Sequence, residues 1–104
     1  MIKAIKIMPD FISTGLWDYS DGIMLEYDDI CLPQDLIEAL ESWVDYYDTC
    51  FKRPEYSPIP GMFRDLNIKG IEISKKIKSI LFNVPIIYVG EDESGLLEGK
   101  EITT

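Results

Sequence analysis

PQDLIEALESWVDYYDTCF, residues 33–51, carries two patterns on one helical repeat. Leu36, Ile37, Leu40, Trp43, Val44, Tyr47 and Phe51 recur at i, i+3/i+4 and, at 100° per residue, share one arc of about 120°. Asp35, Glu38, Glu41, Asp45 and Asp48 fill the neighbouring arc at the same spacing. Pro33 can open this helix, because the first turn has no use for the N–H that proline lacks. The apolar stripe needs a surface to cover, and the flanking sequence supplies one.

Upstream, residues 2–8 (IKAIKIM) read as an opening strand that Pro9-Asp10 ends. Residues 10–22 combine turn residues with large aromatics and read as an ordered loop, and residues 23–27 as a short second strand. Downstream, Pro54, Pro58 and Pro60 make residues 52–61 a connector. A second helix begins between Met62 and Leu66 and ends near Phe82, with Phe63, Leu66, Gly70, Ile73, Ile77, Ile80 and Leu81 on one face. Gly70 on that face lets a neighbour approach closely, at a helix-propensity cost of about 1 kcal/mol against Ala. VPIIYV, residues 84–89, reads as a buried strand with Pro85 at its first position or at a bulge. The acidic tail, residues 90–104, adds an edge strand around Leu96 to Ile102 or frays. The expected architecture is α+β, a two-layer sandwich of order β-β-α-α-β(-β). Two antiparallel helices pack on one face of a small mixed sheet, and the last strand lies beside the first. All of it forms one domain, residues 1–104.

Nineteen acids against ten bases leave a net charge of −9, and the chain has no histidine. Direct nucleic-acid binding is disfavoured, since it needs Lys and Arg to displace counterions from phosphate. Histidine-dependent catalytic triads and histidine metal sites are excluded. Cys31 and Cys50 form no CxxC pair and are expected as buried, reduced thiols. Met1 to Met8 alternates Lys with aliphatics unlike a signal peptide, and Ile80 to Val89 is too short to span a bilayer, so a cytoplasmic protein is expected with no membrane partner.

Enzymatic readings fare poorly. Asp18/Asp21 and Asp28/Asp29 are the nearest carboxylate pairs, but glycosidase chemistry needs a cleft that raises one carboxyl pKa by burial. The segment Asp18 to Gly22 fails as a calcium loop, because aligning Gly22 with the sixth position puts Trp17 and Tyr19 where carboxylates are required. The glycines match no phosphate-binding signature, and a cysteine nucleophile would lack its usual base. The chain is therefore read as a non-enzyme, with no catalytic, metal or cofactor-binding residues.

The charge is polarised along the chain. Residues 8–51 hold eleven acids and no base, residues 52–78 carry +4, and residues 91–104 carry −4. One reading makes the acidic stripe a solvated face that neighbours the basic second helix, in exposed pairs of small value. The other starts from the mutual repulsion of five like charges at helical spacing. Charge held at that cost favours association with a cationic partner. Among the aromatics, Trp43, Tyr47 and Phe51 belong to the core, whereas Trp17, Tyr19 and Tyr46 suit either core or interface.

Lys6-Ile7-Met8-Pro9-Asp10-Phe11, followed by Thr14-Gly15-Leu16-Trp17-Asp18, resembles the start of a group of small bacterial immunity proteins. In that group a strand ends in a Met-Pro-Asp-aromatic turn and a Leu-Trp pair follows. The similarity runs through Leu36, Leu40, Trp43 and Tyr47, then Gly70-Ile71-Glu72, to Ile87-Tyr88-Val89, and covers roughly residues 3–90. It implies an inhibitor of a cognate toxin from a polymorphic or contact-dependent growth-inhibition system. Such toxins are often nucleases with a basic cleft, which an acidic monomer or weak dimer could cover. Charge, not the resemblance, selects the expected contacts: Asp35, Glu38, Glu41, Asp45 and Asp48, the loop acids Asp18, Asp21, Asp28 and Asp29, and Trp17 and Tyr46 as apolar anchors. The alternative is an acidic regulatory or structural domain for another basic partner.

Overall fold

A computed structural model describes residues 2–51 and 61–103. The chain runs through β1 (Ile5–Ile7), β2 (Leu16–Asp18), a 3-10 turn at Tyr27–Asp29, α1 (Gln34–Phe51), α2 (Met62–Ile80), β3 (Ile86–Tyr88), β4 (Glu91–Asp92), β5 (Gly95–Leu96) and β6 (Lys100–Glu101). Four strands form one sheet in the order β2-β1-β3-β6, and β4 and β5 form a separate small hairpin. β3 lies parallel to β1, with Ile5 opposite Ile86 and Ile7 opposite Tyr88. β2 and β6 flank this pair antiparallel. The α+β class, the mixed sheet and the neighbouring of first and last apolar strands are as expected.

The helices cover the face from which Ile5, Ile7, Ile86 and Tyr88 project, all of them buried. Leu36, Leu40, Trp43, Val44 and Tyr47 of α1 join Leu66, Ile73 and Ile77 of α2 in the same core. Trp43 sits at its centre: its indole N–H donates to the Leu66 carbonyl at 2.9 Å, and its ring lies 6.1 Å from that of Tyr88. Gly70 makes the close approach possible. A Cβ there would stand 2.6 Å from the Tyr88 hydroxyl, so only glycine lets α2 lie so near β3. Ile80 is exposed and Leu81 only half-buried, so the apolar face of α2 ends earlier than its spacing suggests. The Lys78 ammonium caps the end by donating to the carbonyls of Phe82 and Val84.

The second strand is misplaced in the sequence reading. β2 comes from the stretch read as loop, while residues 23–27 contribute a single bridge, Met24 to Trp17. The carboxylates of Asp18 and Asp21 accept the N–H groups of Ser20 and Ile23, and Gly22 N–H donates back to the Asp18 carbonyl. These local bonds close a tight turn immediately after β2, and residues 23–25 return along it only briefly, with Asp18 N–H on the Ile23 carbonyl and Leu25 N–H on the Leu16 carbonyl. The tail does add an edge strand, β6, and Ile102 docks in the core beside it.

Cys50 is buried as expected, but Cys31 is exposed in the segment leading to α1, and both are free. Residues 52–60 of the proline-rich connector lie outside the described residues. Among the described residues, no helix is long and apolar enough to cross a membrane.

Candidate functional site

Glu41, Asp45 and Asp48 are spaced i, i+4, i+7, so α1 stacks them along one edge beside its apolar face. Two other segments converge on that edge. Residues 12–14 of the β1–β2 loop lie across its end, and Glu26 with Tyr27 approaches from the side. Together they enclose an open groove of about 360 Å³.

The loop is built by its own side chains. The Asp10 carboxylate accepts the Phe11 N–H, and the Ser13 hydroxyl donates to the Asp10 carbonyl. Thr14, buried, donates from its hydroxyl to the Leu25 carbonyl and accepts the Leu16 N–H, tying the loop to the 24–27 segment. Gly15 adopts φ +80, and a Cβ there would lie 3.2 Å from the Trp43 ring. The loop is therefore seated directly on the core. This geometry turns Ile12 outward at φ +48 and 84% exposed, with Phe11 beside it at 5.2 Å from the Tyr47 ring.

Charge in the groove is one-sided. The Tyr27 hydroxyl donates to the Thr14 carbonyl. Burial, then the carboxylates of Glu41 and Glu26, push that phenol up to about 12. Asp48, expected on the outer stripe, is instead buried at 9% exposure. It falls where the acidic stripe dips under the loop, and one of its oxygens faces the Ile12 N–H at 3.5 Å. The ion pairs found among the described residues, Arg64–Asp65 and Lys69–Glu72, both lie within α2. The acids of α1 are thus not matched by the basic residues of the neighbouring helix.

Of the expected contacts, Glu41, Asp45 and Asp48 come together here. Asp35 and Glu38 are exposed further along α1, away from the groove. Asp18 and Asp21 are occupied in the turn after β2. Asp29 accepts the Glu26 N–H at 2.8 Å and so orders the segment that delivers Glu26, while Asp28 is exposed beside it. Trp17 is half-buried on the sheet, its indole N–H on the Met8 carbonyl. Tyr46 lies in a second hollow between the helices with Trp43, Asp65 and Lys69. Burial, followed by Cys50 and Asp65, raises that phenol above its ordinary value. Sequence reasoning missed Glu26, Tyr27 and Ile12 as site residues. Glu26 is one of the eleven acids of residues 8–51, but only the tertiary approach of its segment to α1 makes it part of a site.

A second titratable group serves the fold. Glu91 accepts the Tyr47 hydroxyl at 3.1 Å, and Asn67 bridges the Glu91 backbone to the Tyr88 hydroxyl. Burial raises the Glu91 carboxyl above 4.5; the Tyr47 bond opposes this, and Asp10 and Asp92 reinforce it. A raised folded-state pKa means that the native chain holds this proton more tightly than the unfolded chain. The contribution to stability therefore falls as pH rises through that window. Glu91→Gln keeps an acceptor for Tyr47 and removes the titration. In urea unfolding it is expected to be more stable relative to the parent at neutral pH than below pH 4.5, the ordinary value of this group. A difference independent of pH would exclude the assignment.

Among the described residues, no three Cys, Asp or Glu side chains converge closely enough to hold a metal ion. What the arrangement offers is a negatively charged groove with an exposed apolar lip, formed by Ile12 and Phe11. Compared with protein-family models, curated proteins and solved structures, the chain matches none of them.

Proposed function

We propose that the chain is an immunity protein that neutralises a cognate bacterial toxin in the cytoplasm, by stoichiometric binding rather than catalysis. The observation that carries this reading is the acidic edge of α1, without an ion-pair partner among the described residues and gathered with Glu26 into a groove beside an exposed apolar lip. Charge complementarity of that kind speeds association with a basic surface, and Phe11 and Ile12 supply apolar anchoring of the sort that dominates interface energies. A nuclease toxin, whose cleft is basic because its substrate is a polyphosphate, is the partner class that fits best. A standard interface takes about 800 Å² from each partner, a small part of the 6341 Å² exposed here. The resemblance at residues 6–18 to small immunity proteins supports the same reading.

The test is co-expression with the C-terminal toxin domain encoded immediately upstream. Cells are expected to survive induction only when this chain is present. The purified pair is expected to form a 1:1 complex whose dissociation constant rises with salt as charges are screened. Cell death despite co-expression, or the absence of such a toxin domain, overturns the reading. An affinity indifferent to salt removes the acidic surface as its basis.

A further inference from the structure

We infer that the groove between α1 and the β1–β2 loop is a socket for one arginine side chain of a protein partner, with Asp48 as its buried end. This rests on reading the groove as partner-facing and adds the chemistry of what enters it. Asp48 is more than nine-tenths buried and lines the groove; one of its carboxylate oxygens finds no hydrogen-bond partner among the described residues and is closed to solvent, so the loop above it must yield for a cation to reach it. A buried carboxyl oxygen left in that state is out of keeping with protein interiors, where such groups are paired or hydrogen-bonded. Its other oxygen meets the Ile12 N–H at 3.5 Å, beyond the usual range of about 2.7–3.2 Å for a firm N–H···O bond. The loop over it is therefore weakly tethered at this point.

The remaining lining selects the cation. Glu26, Glu41 and Asp45 add three carboxylates around the same space, and after burial, which is the larger cause, Glu41 and Glu26 also raise the Tyr27 phenol. Among the described residues these acids do not converge on a single point as a metal ion requires. Dispersed acceptors suit a guanidinium, which spreads five N–H donors over a planar fork, better than the compact ammonium of lysine. Ile12, Met24 and Val44 form the apolar part of the wall and match the aliphatic stem that must lie behind the head group.

The experiment is a titration of the full chain with L-argininamide, followed by backbone amide NMR, with lysinamide and magnesium as comparison probes. Saturable shifts are expected at Ile12, Ser13 and Asp48, with argininamide binding at least threefold tighter than lysinamide. Asp48→Asn is expected to weaken binding at least fivefold, and Asp45→Asn to weaken it measurably, with the rest of the spectrum preserved. Glu98→Gln removes the same charge from the tail and is expected to change affinity less than twofold. Shifts that do not saturate, equal weakening by Asp48→Asn and Glu98→Gln, or preference for magnesium each overturn the socket. Unchanged toxin affinity of Asp48→Asn also overturns it and leaves the immunity reading intact. Argininamide binding as described in a chain that fails to protect cells supports the socket and removes the immunity reading.

Discussion

Trp43→Ala is expected to cost about 3–5 kcal/mol, the range for deleting a large aromatic from a packed core, and so to leave the domain partly unfolded at 37 °C. Three separate contacts meet at this side chain. Its ring fills the space between α1, α2 and β3 at 2% exposure. Its N–H satisfies the buried Leu66 carbonyl, and its edge supports Gly15 at the base of the β1–β2 loop. Total stability for a domain of this kind is about 5–15 kcal/mol, so one such loss removes a large share. Thermal unfolding followed by circular dichroism is expected to show a fall in Tm of more than about 12 °C, taking roughly 4 °C per kcal/mol at the low end for a domain of this size. Trp43→Phe keeps most of the apolar volume and loses the hydrogen bond, and is expected to fall in between. A Tm within a few degrees of the parent for Trp43→Ala would show that the loop and core are not organised around this residue. The loop shares the consequence, because Gly15 seats it on the indole.

That same helix explains why so much of the architecture could be read in advance. Its apolar period is long and regular, and VPIIYV is apolar enough to be a central strand wherever it is placed. Long-range packing reinforces both patterns. β2 was hidden for the opposite reason: a three-residue strand between Gly15 and the turn closed by Asp18 and Asp21 has no periodicity of its own. It exists because β1 offers it an edge. The site shows a similar division. The acidic stripe was legible because i, i+3/i+4 spacing fixes which side chains share a helix edge. That Asp48 turns inward was not legible, since its burial depends on a loop 36 residues earlier in the chain folding over it. Glu26 likewise became a neighbour of Glu41 only through the bonds of Thr14 to the 24–27 segment. Asp18, Asp21 and Asp29 each give one carboxylate oxygen to a turn or cap, the commonest use of aspartate in short connections, which residue counting along the chain does not reveal.

Reversing the outward charge of α1 is expected to have the largest effect on binding. Glu38→Lys, Glu41→Lys and Asp45→Lys together change the net charge from −9 to −3 and leave Asp48 in place. All three positions are exposed, so the fold tolerates the change. Relief of the like-charge stripe on α1 should offset part of any loss, at a few tenths of a kcal/mol for each pair. Binding to a basic partner has no such compensation. Close charge pairs at a desolvated interface couple by about 1.5–7 kcal/mol where they have been dissected. Even at the low end, reversal of three sites is expected to raise Kd by more than about 100-fold at low salt, largely recoverable by none of the other acids. A control with the same charge change in the tail, Glu93→Lys, Glu98→Lys and Glu101→Lys, separates site from net charge. It is expected to slow association modestly through the weaker overall field and to leave the dissociation rate as it was. Calorimetry and stopped-flow mixing with the toxin domain read both quantities. If the two triple variants lose affinity equally, the groove face has no privileged part in binding and only the overall charge matters. If the α1 variant alone fails while its thermal unfolding stays within a few degrees of the parent, the partner sits on the acidic edge of α1.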